Sequence, residues 1–131
     1  MAHRAIRREH RTTRRALRAT LRRRCTGTRL ASSCRRRPRS ITTVAIAAGV
    51  DRDTASGCAN GLRSVAKRLG VTPAATARTR RTVQGGRARR THSVAHYTLR
   101  QVAELVAAYR PRKAAYVTAA ARIAAFAATA A

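Results

Sequence analysis

Apolar positions are sparse over the first forty residues and recur with helical spacing after them. In the opening stretch Ile6, Thr13, Leu17 and Leu21 form a thin apolar seam. On the other side Arg4, Arg7, Arg8, Arg11, Arg14, Arg15, Arg18 and Arg22 recur at steps of three and four, which places them in one stripe on a helix. From Cys25 to Ser40 the period is lost, and TGT followed by RRRPRS reads as a flexible basic loop carrying Arg35, Arg36 and Arg37. At Ile41 a helical pattern begins again, with Val44, Ala45 and Ala48 on one face of a short helix. Gly49 is placed to end that helix. Val50 then plugs the core, and Asp51 is a natural N-cap whose carboxylate accepts free amides of a second helix. Ala55, Cys58, Ala59 and Leu62 are the inward side of that helix. Gly57 and Gly61 each weaken it by about 1 kcal/mol relative to Ala, which predicts an element over about residues 53–61 that is either short or firm only when bound.

The pattern then repeats. SVAKRLGVTPAATARTRR carries Ala66, Gly70 and Val71 where the first copy has Ala45, Gly49 and Val50. Thr72 is a second capping residue, Pro73 suits a first helical turn, and the spacing predicts another helix over 73–82. Thr76 and Thr79 fall at its inward positions, so this copy is the poorer match, and one bundle over 41–83 is expected to contain both. Residues 84–96, QGGRARRTHSVAH, read as a basic Gly-containing linker. Helix returns at 97–131: Thr98 and Gln101 form a capping box after Tyr97, and Leu99, Val102, Ala103, Val106 and Tyr109 make an apolar face. Pro111 separates this helix from an Ala-rich one, starting about Arg112, whose larger or inward residues are Tyr116, Ile123, Phe126 and Ala127. The expected fold is all-α: a basic arm over 1–40, the bundle, the linker and a C-terminal helical hairpin. The hairpin has two ways to bury its face, against the bundle or against a second copy of the chain in a homodimer.

Charge sharpens this division. The 131 residues hold 30 basic and 4 acidic side chains, a net charge of +26, and 28 of the basic residues are Arg. Fourteen units of net charge lie in residues 1–40 and six in 78–90, while 41–77 carry only +2. A compact body with +26 uncompensated repels itself, so the flanks call for a polyanion. Leu, Ile, Val and Phe supply only 21 residues, enough for one small core and not for two.

The segment from Ile41 to Leu62 resembles the helix-turn-helix of bacterial DNA-binding proteins, and AAGVDRDTAS resembles the turn and recognition-helix start of small actinobacterial, plasmid and phage-type regulators. Ala45 stands where the two helices touch, Gly49 in the turn, and Ala55 and Cys58 at the inward positions. The resemblance implies that the second helix enters the major groove. It also implies that Arg52, Asp53, Thr54, Ser56, Gly57 and Asn60 face outward, Arg52 toward guanine or phosphate and Asn60 toward adenine. The second copy competes for that role through its charge, with Arg78, Arg80 and Arg81. Arg87, Arg89 and Arg90 of the linker suit a minor-groove arm.

Other chemistry is poorly supplied. Glu9, Asp51, Asp53 and Glu104 are the only acids, so paired-carboxylate catalysis is excluded, and no nucleophile motif or phosphate-cradling loop is present. Cys25, Cys34 and Cys58 lack zinc-site spacing, and the His92–His96 pair has no cysteine pair to complete a site. No enzyme activity, cofactor, metal or small-molecule substrate is expected. The basic start is not followed by an apolar run, and Arg122 interrupts the apolar C-terminal stretch, so neither a secretory signal nor a membrane partner is expected. The expectation is a cytoplasmic, nucleoid-associated DNA-binding protein, a transcriptional regulator or replication-linked factor. Structural RNA binding, as in a ribosomal or mitoribosomal protein, is the alternative that the charge also permits. An unselected frame of GC-rich DNA would share the Arg and Ala bias, but it does not account for the repeated Ala-x3-Gly-Val pattern or the capping box.

Overall fold

The computed structural model describes residues 2–82 and 89–129. Its order is α1 (Ala2–Arg36), α2 (Ile41–Ala47), α3 (Arg52–Leu69), β1 (Ala75–Thr82), β2 (Arg89–His96), α4 (Leu99–Ala108) and α5 (Ala114–Ala128). The chain is thus mostly helical but not all-α, and four of the expectations about its elements change.

The first change is in α1, which continues through the stretch expected to be a loop. Within it the Thr26 and Thr28 hydroxyls donate back to the Arg22 and Arg24 carbonyls at 2.8 and 3.0 Å, which satisfies them inside the helix. Cys34, buried at the far end, fixes the helix to the core. Pro38 stops it, because the residue before a proline is pushed out of the helical region. Arg39 is then extended, and it exchanges both backbone hydrogen bonds with Tyr97 at 3.0 and 2.8 Å.

The α2–turn–α3 unit forms as expected. Ser40 caps α2 by accepting from the Thr43 amide. Gly49 takes a φ of 89°, and the Val50 and Gly49 amides donate to the Ala45 and Ile46 carbonyls, closing the helix with a Schellman turn. Asp51 caps α3 by accepting from the Thr54 amide at 3.0 Å. The second Ala-x3-Gly-Val sequence builds the same turn at the end of α3: Gly70 has a φ of 68°, and the Val71 amide donates to the Ala66 carbonyl at 3.0 Å. The repeat therefore marks two helix ends rather than two helix-turn-helix motifs.

The second and third changes come after that turn. The expected 73–82 helix is β1, and the expected linker supplies β2, which pairs antiparallel with it from Ala75↔His96 to Thr82↔Arg89. Thr76, Thr79 and Thr82 in one strand and Thr91 and Val94 in the other are β-branched residue types that suit a half-solvated ribbon. Gly85, Gly86 and Arg87 lie outside the described residues.

The α4–α5 hairpin closes the body. Thr98 and Gln101 form the expected capping box, and the Gln101 amide group also donates to the Thr72 carbonyl at 2.8 Å. Leu105, not assigned to the α4 apolar face from sequence, is fully buried there with Val102. Buried residues of α2, α3, α4 and α5, with Cys34 of α1, form one cluster. The fourth change is in α3, whose glycines do not shorten it; they seat the hairpin. A Cβ at Gly57 would overlap the Tyr116 hydroxyl, and one at Gly61 would lie 2.6 Å from the Tyr109 hydroxyl. Arg122 of α5 donates to the Gly49 carbonyl at 2.9 Å and ties the hairpin to the turn between α2 and α3.

Candidate nucleic-acid interface

One face of α3 stays polar. Arg52, Asp53, Ser56, Asn60 and Arg63 are all exposed and share a stripe, while Ala55, Cys58, Ala59 and Leu62 fill the core behind them. That stripe opens on a cleft of about 710 Å3. The start of α2 forms its edge with Arg39, Ser40, Thr42 and Thr43, and the β hairpin forms the opposite wall with Ala77, Thr79, His92, Val94 and His96. The alternation of a strand accounts for this set, since Ala77 and Thr79 share a face and their partners Val94 and His92 share it with them.

Hydrogen bonds order the floor of the cleft. Arg63 donates to the Asn60 side-chain carbonyl at 2.8 Å and to the Thr42 hydroxyl at 3.2 Å. The Asn60 amide nitrogen is thereby turned away from Arg63 as a donor. Arg63 is a site residue that the sequence reading missed, although its position three residues after Asn60 was a usable signal. Arg39 joins the candidate site from the stretch that the sequence predicts to be a loop. Thr79 and His92 are bonded across the strands at 3.3 Å.

Of the α3 residues expected to face outward, Arg52, Asp53 and Ser56 line the cleft, and Asn60 lies beside it through Arg63. Thr54 does not. It borders a smaller hollow of about 270 Å3 with Asp51, Thr118 and Arg122, on the side covered by α5. Gly57 likewise faces Tyr116. Arg78, Arg80 and Arg81 lie on β1, not on a recognition helix, and Arg78 falls on the strand face opposite Ala77 and Thr79. Arg89 and Arg90 belong to β2. In the arm, Arg4, Arg7, Arg8, Arg11, Arg14, Arg15, Arg18 and Arg22 are all exposed on α1. Arg36 and Arg37 are exposed near its end, but Arg35 has another role: its guanidinium lies 5.5 Å from the Phe126 ring centre and donates to the Thr129 hydroxyl at 3.3 Å. It secures the end of α5.

The ionisable groups separate scaffold from surface. The Thr54 amide, with its hydroxyl and more distantly Arg122, holds the Asp51 carboxyl below the ordinary carboxylate range. Burial pushes the Cys34 and Cys58 thiols up, and the Tyr109 phenol rises with burial and with Cys58 beside it. These cysteines are core residues held in the thiol form. Among the described residues no three metal-ligating side chains gather, and no helix is long and apolar enough to cross a membrane. Compared with protein-family models, curated proteins and solved structures, the chain matches none.

Proposed function

We propose that this chain is a duplex-DNA-binding protein in which α3 makes the groove contacts. The observation that carries the reading is the exposed stripe from Arg52 to Arg63, set on a helix whose other side is core and facing a cleft walled by a β hairpin. Such a stripe supplies the groups that read base edges: an arginine fork donating to guanine, the Asn60 amide for adenine, and the Asp53 carboxylate accepting from the cytosine amino group. The cleft beside it suits the phosphate ridge that separates the two grooves, with Arg39, Arg52 and Arg63 as its cations. Arg78, Arg80, Arg81, Arg89 and Arg90 add positive charge along the hairpin, and α1 adds more outside the body. On this reading phosphate contacts supply most of the affinity and α3 supplies the sequence preference.

A mobility-shift titration of the full chain on duplex DNA and on structured RNA, over a range of salt, tests it. Duplex DNA is expected to bind more tightly, and Asn60→Ala or Arg52→Ala should relax base preference by about 1–3 kcal/mol at one position each. Tighter binding to structured RNA, with no base preference in DNA, would transfer the function to RNA.

A further inference from the structure

Most arginines of α1 share one side of the helix, with Arg23, Arg24 and Arg35 off it. Arg4, Arg11, Arg18, Arg22, Arg29 and Arg36 are separated by sevens and one four, so they keep nearly the same heading for the length of α1. The stripe ends beside the body, where the Ser33 hydroxyl accepts from Arg37 Nε at 3.5 Å and from Arg39 Nε at 2.9 Å. Arg39 is itself an edge of the cleft in front of α3. Ser33 also borders a hollow with Arg29 and Arg36 of the stripe, so it adjoins both stripe and cleft, and α1 is held at that end by buried Cys34 and by the Arg35 contact with Phe126.

We infer that α1 and the cleft form one continuous phosphate-binding track, so that the duplex read by α3 is also gripped along one flank by α1. This rests on the duplex reading above and adds a direction to it. From Arg4 to Arg36 the stripe measures about 48 Å at 1.5 Å per residue. That exceeds one turn of B-DNA, about 34–36 Å, and corresponds to roughly 14 base pairs. The occupant is duplex DNA rather than an acidic protein because the charge is single-signed over the whole stripe, with Glu9 as the sole acid of α1. A straight row of guanidinium groups laid along one face of a duplex meets the phosphate ridges each time they pass that face. A tail with the same composition but no fixed joint would raise affinity without favouring a side; a helix anchored at Cys34 and linked to Arg39 has one.

Hydroxyl-radical footprinting on a duplex selected from a random pool by the full chain tests this. Three variants are compared with it: Arg4, Arg7, Arg11, Arg14 and Arg18 all changed to Gln; a four-residue Gly-Ser insertion after Gly27, which keeps every arginine but breaks the joint; and Asn60→Ala. The full chain is expected to protect one flank further than the other. The Gln variant should lose that flank and keep its base preference. Its log–log salt slope should shrink by about four, a drop in affinity between 50 and 200 mM salt that is on the order of 10²–10³-fold smaller. The insertion variant should keep the steep slope but lose the one-sided protection. A symmetric footprint, a flank unchanged by the Gln substitutions, or a flank unchanged by the insertion would each overturn the track. So would an α1 stripe that governs binding to anionic vesicles while leaving the duplex footprint intact. If Asn60→Ala shifts base preference while the Gln substitutions leave the flank unmoved, the track alone fails. If the full chain protects no duplex, the reading beneath it fails too.

Discussion

Helices α1 and α3 are built from the same backbone geometry and held by different physics. In α3, both ends are closed, by Asp51 and by the turn at Gly70, and Ala55, Cys58, Ala59, Leu62, Val65 and Ala66 are buried. In α1, residues 3–29 are all exposed, and the arginines repel one another at three- and four-residue spacing. Helices of globular proteins draw most of their stability from packing an apolar face, and α1 has that support only near Cys34. The largest difference expected between the two is therefore local stability. Hydrogen exchange on the free chain should show residues 3–29 opening at close to no free-energy cost and residues 55–66 opening only with global unfolding. Added duplex should slow exchange along α1, since phosphates cancel the repulsion. Equal protection of both helices in the free chain would break the comparison.

Core substitutions give the next largest contrast. Leu62 is 0% exposed and Leu17 is 59% exposed. Leu62→Ala should destabilise the body by about 2–5 kcal/mol through lost burial and a residual cavity. Leu17→Ala should stay within about 0.5 kcal/mol. Urea unfolding followed by far-ultraviolet circular dichroism separates them, and comparable losses would show that the α1 seam is buried in the free protein.

The glycines sharpen the contrast because one substitution should act with opposite signs. A Cβ added at Gly27 would have no neighbour within 4 Å, whereas at Gly61 such an atom meets the Tyr109 ring and hydroxyl below 3 Å. Gly27→Ala should stabilise α1 by about 0.5–1 kcal/mol through backbone entropy. Gly61→Ala gains the same propensity but forces Tyr109 off its seat, an overpacking cost of about 1–3 kcal/mol, so the net effect is a loss. Far-ultraviolet helicity of the free chain checks the sign at Gly27, and a thermal melt of the body checks it at Gly61. A stabilising Gly61→Ala would mean that Tyr109 swings aside without cost.

These glycines also show what was legible in the chain. Gly49, Val50, Asp51 and the Thr98–Gln101 box act through local hydrogen bonds, so their positions alone placed the turn and two helix starts. The role of Gly57 and Gly61 depends on tyrosines about fifty residues away, and a local rule could only count them as helix breakers. The Ala66-Gly70-Val71 pattern carried true local information, but about how a helix ends and not about the element beyond it. After Gly49 comes Asp51, which starts a helix; after Gly70 come Thr72 and Pro73, and then a strand whose partner lies beyond the local window. Arg39 becomes part of the cleft only when α2 and the hairpin are brought beside α3, whereas Arg63 follows from helical spacing, three residues after Asn60 on the same stripe.

The smallest expected effect concerns the start of α3. The native Asp51 carboxyl is held below its ordinary value, chiefly by the Thr54 amide. A depressed native value means that the unfolded chain takes up the proton first as pH falls, so the carboxylate stabilises the fold above the unfolded value, about 3.9, and the contribution disappears as pH drops through the native one. Asp51→Ala should therefore melt below the parent chain at neutral pH, with a gap that is steady down to about pH 5 and narrows beneath about pH 4. Exchange at the Thr54 amide should quicken over the same range in the parent chain, while α1, which takes no cap from Asp51, should show no matching change. A gap that persists undiminished into strong acid would show that α3 begins without help from that carboxylate, and its likeness to α1 would then be greater than the buried face suggests.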